Sequence, residues 1–160
     1  MQMRIIFSLL LLSLSFDLFA TPPQPPQFLK INPVKLLTLK PGKKGEATVS
    51  ISIEDIFHIQ SNPVSQPNLI PTTLTISSKD GLEAGTIVYP AGKKFRLENS
   101  DKDLSVYEGN VEIKVAIRAK SAKAGKYELL GSLKFQPCND KICFFPNKKE
   151  VKIPVQVLKH

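Results

Sequence analysis

Thioether and imidazole side chains are scarce in this sequence. Of its 160 residues two are Met, two are His and none is Trp. Both methionines, Met1 and Met3, fall in the first three positions, so the rest of the chain has no thioether with which to build a copper site. His160 is terminal, which leaves His58 as the one internal histidine. With no Gly-x-Ser-x-Gly elbow either, hydrolase chemistry finds no support. A copper or zinc site would have to use Cys138, Cys143 and His58; no metal is expected, and no other cofactor. Nothing after Phe28 is long and apolar enough to span a bilayer. There is no internal repeat, and no stretch sustains a 3.6-residue period, which speaks against a helix bundle. Cationic residues do exceed anionic ones, 22 to 14, for a net charge of +8. Yet Lys43-Lys44, Lys93-Lys94 and Lys148-Lys149 are scattered rather than gathered into a groove with interleaved aromatics, so nucleic acid is not an expected partner.

What remains is an ordinary globular composition, 42% hydrophobic and 22% charged, long enough for one domain with a real core. Residues 1–4 carry one positive charge, residues 5–14 are apolar except for Ser8 and Ser13, and the stretch ends near Leu18-Phe19-Ala20. This is the layout of a secretory signal peptide over residues 1–20, with a retained membrane anchor as the alternative. No Cys follows it to take a lipid. The chain is therefore expected to be exported, to the periplasm or beyond. Residues 21–30 are expected to be a linker, because the four prolines in Thr21-Pro22-Pro23-Gln24-Pro25-Pro26-Gln27 favour an extended, solvated conformation.

The folded domain is expected over residues 31–160. Ala47, Val49, Ile51 and Ile53 alternate with polar residues, as do Val111, Ile113, Val115 and Ile117. Tyr127, Leu129, Gly131, Leu133 and Phe135 form a third such row, and Val151, Ile153, Val155 and Val157 a fourth. A period of two predicts half-buried strands. Shorter candidates occupy residues 34–39, 72–77 and 86–89, and turn signals such as Pro41-Gly42, Asp80-Gly81, Glu108-Gly109 and Ala124-Gly125 separate them. About seven strands at this spacing predict an all-β fold, an immunoglobulin-like antiparallel β-sandwich, with a small barrel as the alternative.

Both cysteines fall in one segment, Cys138-Asn139-Asp140-Lys141-Ile142-Cys143, at the tip of the hairpin joining the last two rows. In an exported chain such a pair forms a disulfide when oxidised. Closing so short a loop stabilises the fold by only about 2 kcal/mol in the chain-entropy model. The flanking strands already hold that hairpin, so the pair can serve as a reversible redox couple or as a plain structural staple. Lys141 would favour a thiolate and Asp140 oppose it. Phe144 and Phe145 place aromatic surface beside the thiols, available for a partner to cover.

The segment from Phe135-Gln136-Pro137-Cys138 through Cys143-Phe144-Phe145-Pro146 to Glu150-Val151-Lys152-Ile153-Pro154-Val155 resembles the end of the N-terminal periplasmic domain of the thiol:disulfide interchange protein DsbD family. Phe57-His58-Ile59-Gln60-Ser61-Asn62-Pro63 is similar to an early aromatic or His loop of that domain. Tyr89-Pro90, Gly92-Lys93-Lys94-Phe95 and the run Val106-Tyr107-Glu108-Gly109-Asn110-Val111-Glu112-Ile113 are similar to its central part. The likeness spans roughly residues 31–158.

The resemblance implies an immunoglobulin-like domain in which Cys138 and Cys143 act as a thiol:disulfide oxidoreductase of the protein-disulfide reductase type. Its partners would be redox proteins: a membrane or thioredoxin-like electron donor, and periplasmic disulfide isomerases or cytochrome c maturation proteins as acceptors. A cap over the thiols is implied at Val106, Tyr107, Glu108 and Gly109. His58, Lys141, Phe144 and Phe145 are candidates for tuning the thiols or docking the partner. The likeness reaches the family's N-terminal domain alone, so electrons are expected from a separate donor. The rival reading is a non-redox β-sandwich binding module with a stapled hairpin.

Overall fold

The computed structural model describes residues 27–98 and 100–159. The expected signal segment at 1–20, most of the proline-rich linker, and His160 lie outside the described residues. Each of the four alternating rows forms a long strand: β3 (Lys44–Ile53), β9 (Asn110–Ala119), β10 (Gly125–Phe135) and β12 (Asn147–Val157). Along them buried positions alternate with exposed or half-buried ones, most strictly in β9. Around them lie β1 (Leu29–Ile31), β2 (Leu37–Leu39), β5 (Thr73–Ile76) and β6 (Leu82–Val88).

These eight strands form two sheets, in the orders β1-β3-β9-β6 and β2-β12-β10-β5. Their inner faces meet in one core, where Val49, Ile51, Ile113 and Val115 of the first sheet join Leu129, Leu133, Val151 and Ile153 of the second. The architecture is the expected immunoglobulin-like sandwich, with one departure from uniform antiparallel pairing: β2 runs parallel to β12 at the edge of the second sheet. Between the sheets the chain turns at Asp80-Gly81, where both residues have positive φ (53° and 79°) and Lys79 and Leu82 exchange main-chain hydrogen bonds. That is the geometry for which a Gly at the second position is favoured.

Several boundaries differ from the sequence reading: β2 covers only Leu37–Leu39 of the expected 34–39, and β6 runs Leu82–Val88 where 86–89 was expected. Phe28, Leu29 and Lys30, expected in the linker, belong to the fold, because β1 pairs with the end of β3 and buries Leu29 completely. The first half of β12, residues 147–150, is strand as well, since the β10–β12 ladder continues to the pair Phe135 and Asn147. Its side chains are all exposed there, so no alternation marks it.

A third sheet was not expected at all. It consists of β4 (His58–Gln60), β7 (Lys93–Phe95), β8 (Leu104–Tyr107) and β11 (Pro137–Cys138), in the order β11-β4-β8-β7. Each of these strands has four residues or fewer, and all three residues of β4 are buried, so none displays a readable period. This small sheet carries the cysteines.

Candidate functional site

The cysteine hairpin extends past the last pair of the β10–β12 ladder. Phe144 N–H donates to the Pro137 carbonyl at 2.8 Å and Asn139 N–H to the Ile142 carbonyl at 2.9 Å. Cys138 and Cys143 fall between those two hydrogen-bonded pairs, directly opposite each other, the position at which cross-strand side chains come closest. Their Cα atoms are 3.9 Å apart and the sulfurs are joined in a disulfide. The tip is a side-chain-capped turn: Asn139 Oδ1 accepts from the Lys141 and Ile142 N–H groups at 3.0 and 2.8 Å. Gln136 anchors the base, its Oε1 accepting from Ile70 N–H and its Nε2 donating to the Phe144 carbonyl.

Pairing in the third sheet fixes what surrounds the sulfurs. Cys138 is opposite His58, Gln60 is opposite Val106, and Val106 is opposite Lys93. Paired residues share a face and neighbours alternate. Cys138, His58, Gln60, Val106 and Phe95 therefore project from one face, while Ile59 and Tyr107 project from the other into the main core. Cys138 is fully buried and Cys143 is partly exposed. Beside Cys143 lies a cleft of about 310 Å³ lined by Gln136, Ile142, Phe144, Phe145 and Pro146.

This arrangement corrects the expected cap. Val106 and Tyr107 belong to strand β8, not to a loop, and Tyr107 faces away from the sulfurs. Its hydroxyl is bonded to Asn62 and donates to the Pro90 carbonyl at 2.9 Å. Val106 does share the disulfide's face, buried completely. Glu108 and Gly109 form the turn into β9, where Glu108 pairs with Lys93 at 2.7 Å and Gly109 takes a φ of 63°. The segment that lies against the cysteine hairpin is the β7–β8 hairpin. Phe95 packs on the His58 ring with centroids 3.7 Å apart, and Glu98 N–H donates to the Asp140 carbonyl at 2.9 Å. Arg96 and Lys94 brace that hairpin by pairing with Asp103, whose carboxyl the Arg96 hydrogen bond holds below its ordinary range.

The other candidates divide between structure and surface. His58 is buried, and its Nε2 lies 3.1 Å from the Asn139 carbonyl, so Nε2 carries the proton of the neutral ring. Burial pushes its pKa below 6.5, against opposing pulls from that hydrogen bond and from the Glu108 and Asp140 charges. Phe144 packs into an aromatic cluster with Phe28 and Phe57, at centroid distances of 5.3 and 5.9 Å. Phe145 points the other way and is 93% exposed. Lys141 is exposed at the turn. No three His, Cys, Asp or Glu side chains among the described residues cluster as cation ligands.

Two residues of the site were missed by sequence reasoning, Phe95 and Gln60. Gln60 donates from Nε2 toward both sulfurs, at 3.2 Å from Cys138 and 3.7 Å from Cys143. The signal for it was present in the His58-x-Gln60 spacing, which puts both side chains on one face of a strand.

The family described as thiol:disulfide interchange protein DsbD, N-terminal, matches residues 26–154. No curated protein sequence matches the chain. Among solved structures, the N-terminal domain of Neisseria meningitidis DsbD in its reduced form is similar at 20% identity and a TM-score of 0.42, covering 69% of this chain and 77% of that one. The N-terminal periplasmic domain of ScsB from Proteus mirabilis is similar in fold, at 8% identity and a TM-score of 0.50. That likeness covers 71% of this chain and 42% of the ScsB chain.

Proposed function

The chain belongs to the family of N-terminal domains of the thiol:disulfide interchange protein DsbD, and from that premise we propose that its Cys138–Cys143 pair carries two electrons at a time between partner proteins. The observation that carries this reading is the asymmetry of the two sulfurs. Cys138 is sealed in the small sheet, while Cys143 borders an apolar cleft with Phe145 bare at its edge. A partner reaches one sulfur and not the other.

In the loading step a donor thiolate attacks the Cys143 sulfur. The disulfide breaks, Cys138 leaves as a thiolate and takes up a proton, and the donor is held to Cys143 as a mixed disulfide. The donor's second thiol then displaces Cys143, so the donor departs oxidised and the domain holds a dithiol. Delivery is the same sequence reversed: Cys143 attacks an acceptor disulfide and Cys138 resolves the product, leaving the acceptor reduced. The β7–β8 hairpin, through Phe95 and Glu98, is the cover that keeps small oxidants from the dithiol and swings aside for a partner. Donors are membrane or thioredoxin-like dithiol proteins; acceptors are the disulfide forms of periplasmic disulfide isomerases or cytochrome c maturation proteins. Residues 1–20 direct export to the compartment where such exchange operates.

Replacement of the resolving sulfur tests the scheme. Cys138→Ser should accumulate a mixed disulfide with a partner that itself carries a reactive cysteine pair, and Cys143→Ser should not. If neither single variant traps a thiol protein from periplasmic extract, and the double variant still holds a partner, the domain is a binding module and not an electron carrier.

A further inference from the structure

Gln60 is the last residue of β4, and its side chain is fully buried. An amide in that setting is unfavourable unless its polar atoms are paired. Its main chain is satisfied: the N–H donates to the Gln136 carbonyl at 3.1 Å, and the carbonyl accepts from both the N–H and the hydroxyl of Thr72. Its side chain is only half satisfied. Nε2 faces the two sulfurs, but Oε1 has no hydrogen-bond partner among the described residues. Turning the amide over would not repair this, because Oε1 would then face a disulfide, which has no hydrogen to give.

We infer that Gln60 is a redox-state-dependent hydrogen-bond partner of the cysteine pair, its Oε1 unpaired while the sulfurs are joined and accepting an S–H when they are separated. The inference rests on the exchange function proposed above. On reduction the S–S bond breaks, and two electrons and two protons arrive from a donor dithiol that is itself oxidised to a disulfide. Each sulfur then carries a hydrogen. One thiol accepts from Nε2 while the other donates to Oε1, so both ends of the amide are used. Gln60 thus disfavours the disulfide and favours the dithiol, which raises the reduction potential. Nε2 has a second role in the transfer itself. It lies closest to Cys138, the sulfur that leaves as a thiolate when Cys143 is attacked, and an N–H donor stabilises that charge.

Equilibration of the full chain with dithiothreitol at graded ratios of reduced to oxidised reagent, followed by acid quench and thiol alkylation, tests this. Gln60→Leu should shift the exchange constant toward the disulfide by about tenfold, equivalent to about 30 mV for a two-electron couple. It should also slow the reduction of the disulfide. Gln60→Met, closer in length, makes the same measurement should Gln60→Leu fail to fold. Thr72→Val removes a buried hydroxyl bonded to the Gln60 main chain but touches neither sulfur. It should lower Tm and leave the exchange constant within about twofold, less than one net hydrogen bond's worth. Gln60 variants that match the wild type, or that shift toward the dithiol, overturn the inference while the exchange function stands. So does a Thr72→Val shift as large as that of Gln60→Leu. A wild-type pair that stays oxidised at every ratio overturns both.

Discussion

If the β7–β8 hairpin covers the cysteine pair, removing the Phe95 ring should open the site without dismantling the sandwich. Phe95 is half-buried, on an edge strand of three residues, and its ring packs on the His58 ring at a centroid distance of 3.7 Å. An aromatic pair of this kind contributes roughly 0.5–1.5 kcal/mol beyond area burial. Adding the apolar surface of a half-buried ring, Phe95→Ala should cost about 1–2 kcal/mol of hairpin closure. Where modification requires local opening, the reaction rate follows the open population. That population rises tenfold for each 1.4 kcal/mol, so the rate should increase by roughly 5- to 30-fold. The assay is alkylation of the reduced protein by a bulky maleimide, followed by mass, with Tyr107→Phe as the comparator. Tyr107 faces the core, so loss of its hydroxyl should leave the rate nearly unchanged. A Phe95→Ala rate equal to the wild type, or a Tyr107→Phe rate that rises as much, would refute the assignment of the cover.

The two adjacent phenylalanines should separate cleanly. Phe145→Ala should leave Tm unchanged but weaken trapping of a partner on Cys138→Ser by about 1–3 kcal/mol, as for a moderate hot spot. Phe144→Ala should instead lower stability by roughly 2–4 kcal/mol in urea unfolding, because its ring closes the cluster with Phe28 and Phe57. A stability loss in the first variant or none in the second would reverse these roles. For His58 the folded-state pKa lies below the unfolded value near 6.5, so the unfolded chain binds the proton more readily. The stability this group contributes is present above pH 6.5 and is lost as pH falls below it. Urea midpoints from pH 8 to 5 should decline in that range for the wild type and less steeply for His58→Gln; equal slopes would sink the assignment.

The sequence was legible where strands are long and bury one face. The rows beginning at Ala47, Val111, Tyr127 and Val151 contain enough turns of the period to be read unaided, and they assemble the sandwich as expected. Legibility failed in the third sheet for a physical reason. His58-Ile59-Gln60 is buried on both faces, so polar and apolar residues are not sorted between water and core. The resemblance implied a cap at Val106, Tyr107, Glu108 and Gly109 by position alone; pairing in β8 keeps Val106 on the disulfide's face and sends the Tyr107 ring to the other. Phe95, preceded by two exposed lysines, carried no mark of its role. The cysteine hairpin itself was legible because proximity in sequence makes proximity in space unavoidable there.

The eleven-pair β10–β12 ladder has a consequence for how the domain moves. Hydrogen-bonded opening units are contiguous, and their free energies scale with what each must break. The reacting sulfurs are mounted on the end of the longest ladder in the described structure, whereas β7 meets β8 through three pairs and β8 meets β4 through two. Fluctuation is thus partitioned: the lid belongs to a shallow, rapidly recrossed basin, and the bench on which chemistry happens belongs to the deep one. An incoming protein can displace the first while the second holds Cys143 at a fixed bearing. Reactivity is then gated by access rather than by deformation of the reacting centre.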